Sequence, residues 1–554
     1  MKGDYAMTSV RSLWNQMWAW DEQVRNWTKT MFGLHLMANG SAARKSDAPV
    51  NKKVENLMQE PDPEHPPSYS KAQWIGLLTG PLLFLLIRFL VSPEGMSSEA
   101  VTVLAIVAWI ATWWVTEAIP IPLTSLLPLL LFPLFGIMET GDVSASYGDP
   151  LIFLFVGSFM IALTMEKWNL HRRIALGIIS FIGTNPSMII LGFMTATGFL
   201  SMWISNTATT MMMVPMALAV TKQVADSLKH NGSNVDTTPG NFPFGTALML
   251  GTAYAATLGG FGTLIGAPAN TILAATVNKL YGVEISFAKW MSFGIPLVVV
   301  LIPLVWLYLV KVAYPMKLKD IPGGRNIIKQ EQQDLGRMGF EEKVVLTVFS
   351  LVAIGWITRT FLLENIIPGI DDTVIALLGA FLLFVIPAKN KSGTILDWDT
   401  VKKLPWGILW LFGGGLALAA GISSSGLDQW IGSQLVNFTD VPLWVTIALI
   451  VGVITLLTEF TSNTATSTMV YPIVAAGAAA LGVDPIILMV AACMGATFAF
   501  MFPVAAPPNA IVFATGYIKM STMAKTGVWL NIGGIIFSII VVSFFVPIIF
   551  GGLM

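Results

Sequence analysis

The chain has 554 residues, 55 % hydrophobic and 11 % charged, with a mean hydropathy of +0.71. Soluble domains carry about 25 % charged residues, so a soluble globular protein is excluded and a polytopic membrane protein is expected. Lys and Arg (31) balance Asp and Glu (32) to a net charge of −1, which gives no basic field for nucleic acid. One cysteine, Cys493, excludes an intramolecular disulfide and a cysteine zinc cluster, and His35, His65, His171 and His230 are too scattered for a metal site or proton relay.

Residues 1–73 form a predicted cytoplasmic segment with nine Lys and Arg, ending in a linker around Pro61, Pro63, Pro66 and Pro67. They lack an apolar core followed by a small-residue cleavage site, so no signal peptide is expected. Leu13, Met17, Trp20, Val24, Trp27, Met31 and Leu34 recur in steps of four and three. That spacing predicts an amphipathic helix, suited to the membrane surface by Trp14 and Trp18, or else to pairing with a copy of itself.

Apolar runs predict eleven spans: 74–92, 100–116, 118–137, 150–182, 246–279, 288–312, 343–363, 372–388, 404–438, 485–519 and 527–550. Two further runs, 187–221 and 443–481, are each broken by Ser-Asn-Thr. Polar triplets at mid-depth predict re-entrant hairpins whose tips lie in protein or face water. With the N-terminus inside, the cytoplasmic segments 1–73, 222–245, 313–342, 389–403 and 520–526 hold 21 Lys and Arg. The segments assigned outside hold none. This bias fixes the orientation, with the C-terminus outside.

The chain repeats itself. Leu-Phe-Val-Gly-Ser-Phe near 155 resembles Leu-Phe-Gly-Gly-Gly-Leu near 412. Ser205-Asn206-Thr207-Ala208-Thr209 recurs as Ser462-Asn463-Thr464-Ala465-Thr466, and Pro215 as Pro472, 257 residues on in each case. Gly266-Ala267-Pro268-Ala269-Asn270 matches Ala505-Ala506-Pro507-Pro508-Asn509, 239 residues on. Five predicted crossings separate the copies, so they should be inverted: repeat 1 over 100–312, a linker 313–342, repeat 2 over 343–554, and 74–99 as a span before both. Inverted repeats with interrupted helices mark secondary transporters, with the binding site at the repeat interface.

The chemistry is expected at the interruptions. Ser205, Asn206, Thr207, Ser462, Asn463 and Thr464 are N-cap residue types at the start of a second half-helix. Two such positive helix ends suit an anion with two negative groups, and oxygens at the breaks suit a small hard cation such as Na+. Pro268 and Pro507 free carbonyls within apolar helices. Of the charges inside the spans, Arg88 and Arg359 are expected to snorkel from span ends, and Glu117 to serve a turn. Glu166 and Lys167 are further candidates, and Glu459, four residues before Asn463, could carry a proton or orient a ligand. Gly413-Gly414-Gly415 lacks the Gly-Lys-Ser/Thr ending of a phosphate loop and is read as helix packing.

Thr116-Glu117-Ala118-Ile119-Pro120, both Ser-Asn-Thr motifs, Gly413-Gly414-Gly415 and Pro503–Phe513 together resemble the divalent anion–sodium symporter family over about 74–550. The resemblance implies a homodimer of two-domain subunits, each with a scaffold and an elevator-like transport domain. It implies Na+ coupling, with the inner tip at Ser205, Asn206 and Thr207 and the outer tip at Ser462, Asn463 and Thr464. It places one sodium site at Ser201, Ser205, Asn206 and Gly266, and another at Thr458, Thr461, Asn463 and Ala505. Ala267-Pro268 and Ala506-Pro507 fall beside the substrate, where the family often has Thr-Pro, so two hydroxyl contacts are missing. The expected function is sodium-coupled import of succinate, malate or fumarate across the plasma membrane (the inner membrane, if bacterial). A sulfate or citrate carrier, and a proton-coupled or exchanging carrier, fit the same residue types. An intramembrane enzyme lacks a Ser–His or paired-Asp arrangement in the spans. A channel would not concentrate its substrate.

Overall fold

The computed structural model describes residues 70–183, 185–230, 235–316, 330–389, 392–435 and 441–551, and its described residues are almost wholly helical. The amphipathic N-terminal helix and its proline linker lie outside them. Helix α1 (Lys71–Leu90) starts on a reciprocal cap, with the Gln73 N–H donating to Ser70 Oγ and the Ser70 N–H to Gln73 Oε1. Helix α2 (Ser98–Thr116) ends at Glu117, whose φ of 48° is left-handed. Its carbonyl accepts from Gln73 Nε2, so Glu117 serves a turn, as expected. The predicted span 118–137 is a four-residue helix, Ile121–Thr124, followed by α3 (Leu127–Leu134).

Two further predicted spans are each divided by a single left-handed residue. The run 150–182 divides into α4 (Pro150–Lys167) and α5 (Leu170–Ile182) at Asn169, φ 57°. The run 404–438 contains α13 (Trp406–Ser424) and α14 (Leu427–Leu435), divided at Gly426, φ 72°. A single left-handed residue turns the chain, and it falls at equivalent positions of the two copies.

The interrupted elements follow. Helix α6 (Pro186–Ser201) stops before the first Ser-Asn-Thr, and α7 (Asn206–His230) starts in it, running past the predicted end at 221. Then come α8 (Pro243–Gly260), a break at 261–267, α9 (Pro268–Tyr281) and α10 (Phe287–Leu307). Helices α11 (Phe340–Thr358) and α12 (Asp372–Val385) precede α13. In the second copy α15 (Leu443–Thr458) gives way to α16 (Asn463–Ala480), and α17 (Pro485–Thr497) to a break at 498–506 and α18 (Pro507–Ala514). Helix α19 (Met520–Phe550) closes the chain.

Seven helical stretches among the described residues are long and apolar enough to cross a membrane, and five shorter ones are apolar. A broken crossing shows up as shorter pieces, because each piece covers only part of the bilayer. The main core runs from α4 through α19 and draws on both copies, while a smaller one joins α1, α2, α3 and part of α13. The half-helices cross-pack, α7 against α18 and α9 against α16. Gly413, Gly414 and Gly415 let α13 approach Tyr147, Ser125 and Thr468, where an added Cβ would stand 2.1–2.3 Å from a neighbouring atom.

Candidate anion and cation site

The two breaks that carry Ser-Asn-Thr build the same constellation. One end of the Asn206 amide lies 2.6 Å from Ser201 Oγ and 3.1 Å from the carbonyl oxygens of both Ala256 and Gly266. Ser201 Oγ also donates to the Ala256 carbonyl at 2.7 Å. In the second copy the Asn463 amide lies 2.7 Å from Thr458 Oγ1, 2.9 Å from the Ala505 carbonyl and 3.2 Å from that of Ala496. An amide exchanges its oxygen for its nitrogen by a half-turn. Nitrogen-inward, each asparagine donates to the oxygens around it. Oxygen-inward, it completes a cluster of four oxygens from four positions, the donor set that a hard cation takes.

Six of the predicted cation ligands fall in these clusters: Ser201, Asn206, Gly266, Thr458, Asn463 and Ala505. The Ser205 and Thr461 side chains, just outside α7 and α15, hydrogen-bond to neighbouring residues. Ser205 Oγ accepts from the Ala208 N–H, and Thr461 Oγ1 donates to the Leu457 carbonyl and pairs with Thr466 Oγ1. The carbonyls of Ala256 and Ala496 also stand in the two clusters, 3.1 and 3.2 Å from the amides. Sequence reasoning missed both, since a carbonyl on an alanine leaves no side-chain signal.

Asn270 and Asn509, both fully buried, hold the other two breaks open. Asn270 Nδ2 donates to the Gly260 and Thr263 carbonyls at 2.9 and 2.7 Å, and Asn509 Nδ2 to those of Ala499 and Phe502 at 3.1 and 3.2 Å. These carbonyls have lost helical partners, and an unpaired buried carbonyl is costly.

Ser205, Asn206, Thr207, Ser462, Asn463 and Thr464 are all half-buried. The N-terminal residues Ala267 of α9, Ser462 of α16 and Ala506 of α18 supply no side-chain cap. At α16 the first N–H groups therefore remain available to an anion, whereas α9 and α18 begin on Pro268 and on Pro507-Pro508, which have none, and the Asn270 and Asn509 N–H groups return to the Ala267 and Ala506 carbonyls at 3.1 and 3.0 Å. Ala267 and Ala506 are buried, Pro268 is half-buried and Pro507 exposed. Segments 201–210, 256–270, 458–468 and 496–509 contain no Lys, Arg or His, and Glu459 is their one charge.

The other charges sit apart from the tips. Lys167 pairs with Asp397 at 2.8 Å. Partial burial acts to raise the Asp397 carboxyl, but the Lys167 ammonium and the Thr400 hydroxyl and N–H hold it down at about 2. Arg359 does not snorkel. It is 3 % exposed and meets Glu284, Glu364 and Asp372 at 2.5, 3.3 and 3.0 Å. Buried Asp372, which also accepts from the Phe287 N–H, holds it inward.

Residues 71–551 match the family described as "Sodium:sulfate symporter transmembrane region". A curated relative, "Sodium-dependent dicarboxylate transporter SdcS" of Staphylococcus saprophyticus, is 50 % identical over 489 residues, covering 87 % of this chain and 93 % of that one. The protein of the same name from Staphylococcus aureus strain USA300 is 50 % identical over 487 residues, with the same coverage. The solved structure of the Alcanivorax borkumensis YdaH transporter aligns with a TM-score of 0.46 at 12 % identity, over 74 % of this chain and 88 % of that one. The match over nearly all of the helical region, together with half-identical relatives, shows that the chain belongs to the sodium:sulfate symporter family.

Proposed function

We propose that this protein imports C4-dicarboxylates such as succinate, malate or fumarate, driven by sodium. The observation that carries the reading is the pair of asparagine-centred oxygen clusters beside helix ends, in segments without a basic side chain. A dianion entering a low-dielectric interior needs counter-charge. Here it comes from the half-helix dipoles, with open N–H groups at the start of α16, and from sodium in the clusters. The half-identical relatives named as sodium-dependent dicarboxylate transporters support the ion and the substrate class.

The mechanism follows from the amides. Without sodium, Asn206 and Asn463 turn nitrogen-inward and donate to the oxygens around them. Sodium turns them oxygen-inward and fixes the tips, with Ser205 and Thr207 on one side and Ser462 and Thr464 on the other. The carboxylates then bind between tips of raised positive potential. Dianion affinity is therefore low without sodium, which is the coupling. The loaded inverted repeats move as an elevator within a homodimer in the plasma membrane, with the N-terminus cytoplasmic and the C-terminus outside.

The experiment is uptake of radiolabelled succinate into proteoliposomes, with and without an inward sodium gradient. Sodium-dependent accumulation, lost in both Asn206→Ala and Asn463→Ala, is the expected result. Uptake indifferent to sodium would remove the coupling ion. Absence of succinate uptake alongside uptake of sulfate or citrate would remove the substrate class.

A further inference from the structure

We propose that Glu459 is the positioning residue of the Asn463 cation cluster, and that its charge makes this cluster bind sodium more tightly than the one around Asn206. The inference rests on the cation reading above and goes beyond it by making the two clusters unequal.

Glu459 is 1 % exposed and supplies the acceptors for a whole turn of unwound backbone. The N–H groups of Phe500, Met501 and Phe502 donate to its carboxylate at 2.9, 3.0 and 3.0 Å, and Asn531 Nδ2 of α19 donates at 2.5 Å. Three successive N–H groups converging on one carboxylate form an anion nest, occupied here by the protein's own side chain. Glu459 directly follows Thr458, whose hydroxyl borders the cluster. Its backbone partners lie between Ala496 and Ala505, whose carbonyls face the Asn463 amide. The carboxylate thereby fixes the segment that presents two cation ligands, and adds a negative charge beside them.

The first copy has no such group. Met202 stands at the position equivalent to Glu459, and its carbonyl accepts from the Thr263 hydroxyl. The N–H groups of Phe261 and Gly262 return to the Leu258 and Gly259 carbonyls at 3.2 and 2.9 Å, and the Gly266 N–H goes to Thr263 Oγ1 at 3.1 Å. That break closes on neutral groups. In a low-dielectric interior a neighbouring carboxylate is a large term for a cation, so the clusters should fill at different sodium concentrations.

The test is a sodium titration of the full-length protein in nanodiscs without substrate, read by calorimetry. Wild type is expected to show two classes of sodium binding, with Asn463→Ala removing the tighter and Asn206→Ala the weaker. Glu459→Gln is expected to shift the tighter class to at least tenfold higher sodium and leave the other unchanged. The double variant E459Q/N531D puts a carboxylate back within the same hydrogen-bonded group, and is expected to restore the tighter class to within threefold. The double variant also decides the matter if Glu459→Gln alone fails to fold. A Glu459→Gln titration within twofold of wild type would overturn the inference. So would an equal shift of both classes, or no recovery in the double variant. Wild-type protein without saturable sodium binding would overturn the cation reading itself.

Discussion

Gly260 offers a sharp test of the first cation cluster, because it touches that cluster without being part of it. A Cβ added at Gly260 would stand 2.3 Å from Asn206 Oδ1, 2.9 Å from Nδ2 and 3.0 Å from Cγ. Carbon and oxygen rest at about 3.3 Å or more, so Gly260→Ala pushes the amide back by about 1 Å. Its separations of 3.1 Å from the Ala256 and Gly266 carbonyls then open too far for a shared ligand. Gly260 has no positive φ, so the backbone itself accepts alanine and the cost is steric. Overpacking of this kind costs about 1–3 kcal/mol, which corresponds to about 5–150-fold in sodium half-saturation. The assay is thermal stabilisation of the purified protein as sodium replaces potassium, since a ligand of the folded state raises stability with its concentration. The second copy provides the control. Ala499, at the equivalent position, already carries a Cβ, so Ala499→Gly should move half-saturation by no more than about twofold. Wild-type half-saturation in Gly260→Ala would refute the placement of the cation at Asn206.

Three further outcomes are expected. Arg359→Gln leaves buried Asp372 without its cation and should cost about 3–5 kcal/mol of stability; the double variant with Asp372→Asn should recover part of it in thermal unfolding. Ala267→Thr and Ala506→Thr each add a hydroxyl at an uncapped helix start, and should lower the succinate KM about 2- to 12-fold at saturating sodium, the worth of one hydrogen bond. Asp397 is ionised in the folded chain down to about 2, below its unfolded value, so the stability from its Lys167 contact is fully present above about pH 4 and fades only as pH falls through 2. Asp397→Asn should therefore lower the melting temperature by the same small amount from pH 8 to pH 5, within about 1 kcal/mol for this half-exposed side chain; a difference that grows between pH 8 and 5 would refute the assignment.

Much of this architecture is legible in the sequence wherever a polar or proline signal interrupts an apolar run. Ser205-Asn206-Thr207 and Ser462-Asn463-Thr464 give both hairpin breaks, because three polar residues have no place in the middle of a membrane helix. Ala267-Pro268 and Ala506-Pro507 give the other two, because proline cannot continue the ladder before it. The divisions at Asn169 and Gly426 are hidden, since apolar residues continue on both sides and one backbone dihedral does the work. The pairing of Arg359 is hidden for another reason: Glu284 and Asp372, which hold it, come from other segments of the chain. The carbonyls of Ala256 and Ala496 are illegible in principle. Every residue has one, and only the fold decides which face the Asn206 and Asn463 amides.

The cross-packing of the half-helices sets a timetable for biosynthesis. Ala269 accepts a hydrogen bond from Tyr471, 202 residues later, and Asn270 from Cys493, 223 residues later. At ribosomal rates of about 5–20 residues per second, those partners are made about 10–45 s after Ala269 and Asn270. For that interval α7 and α9 sit in or beside the bilayer with part of their packing surface missing. The nascent first half must therefore wait, shielded by lipid, water or the insertion machinery, until α16, α17 and α18 arrive to finish it.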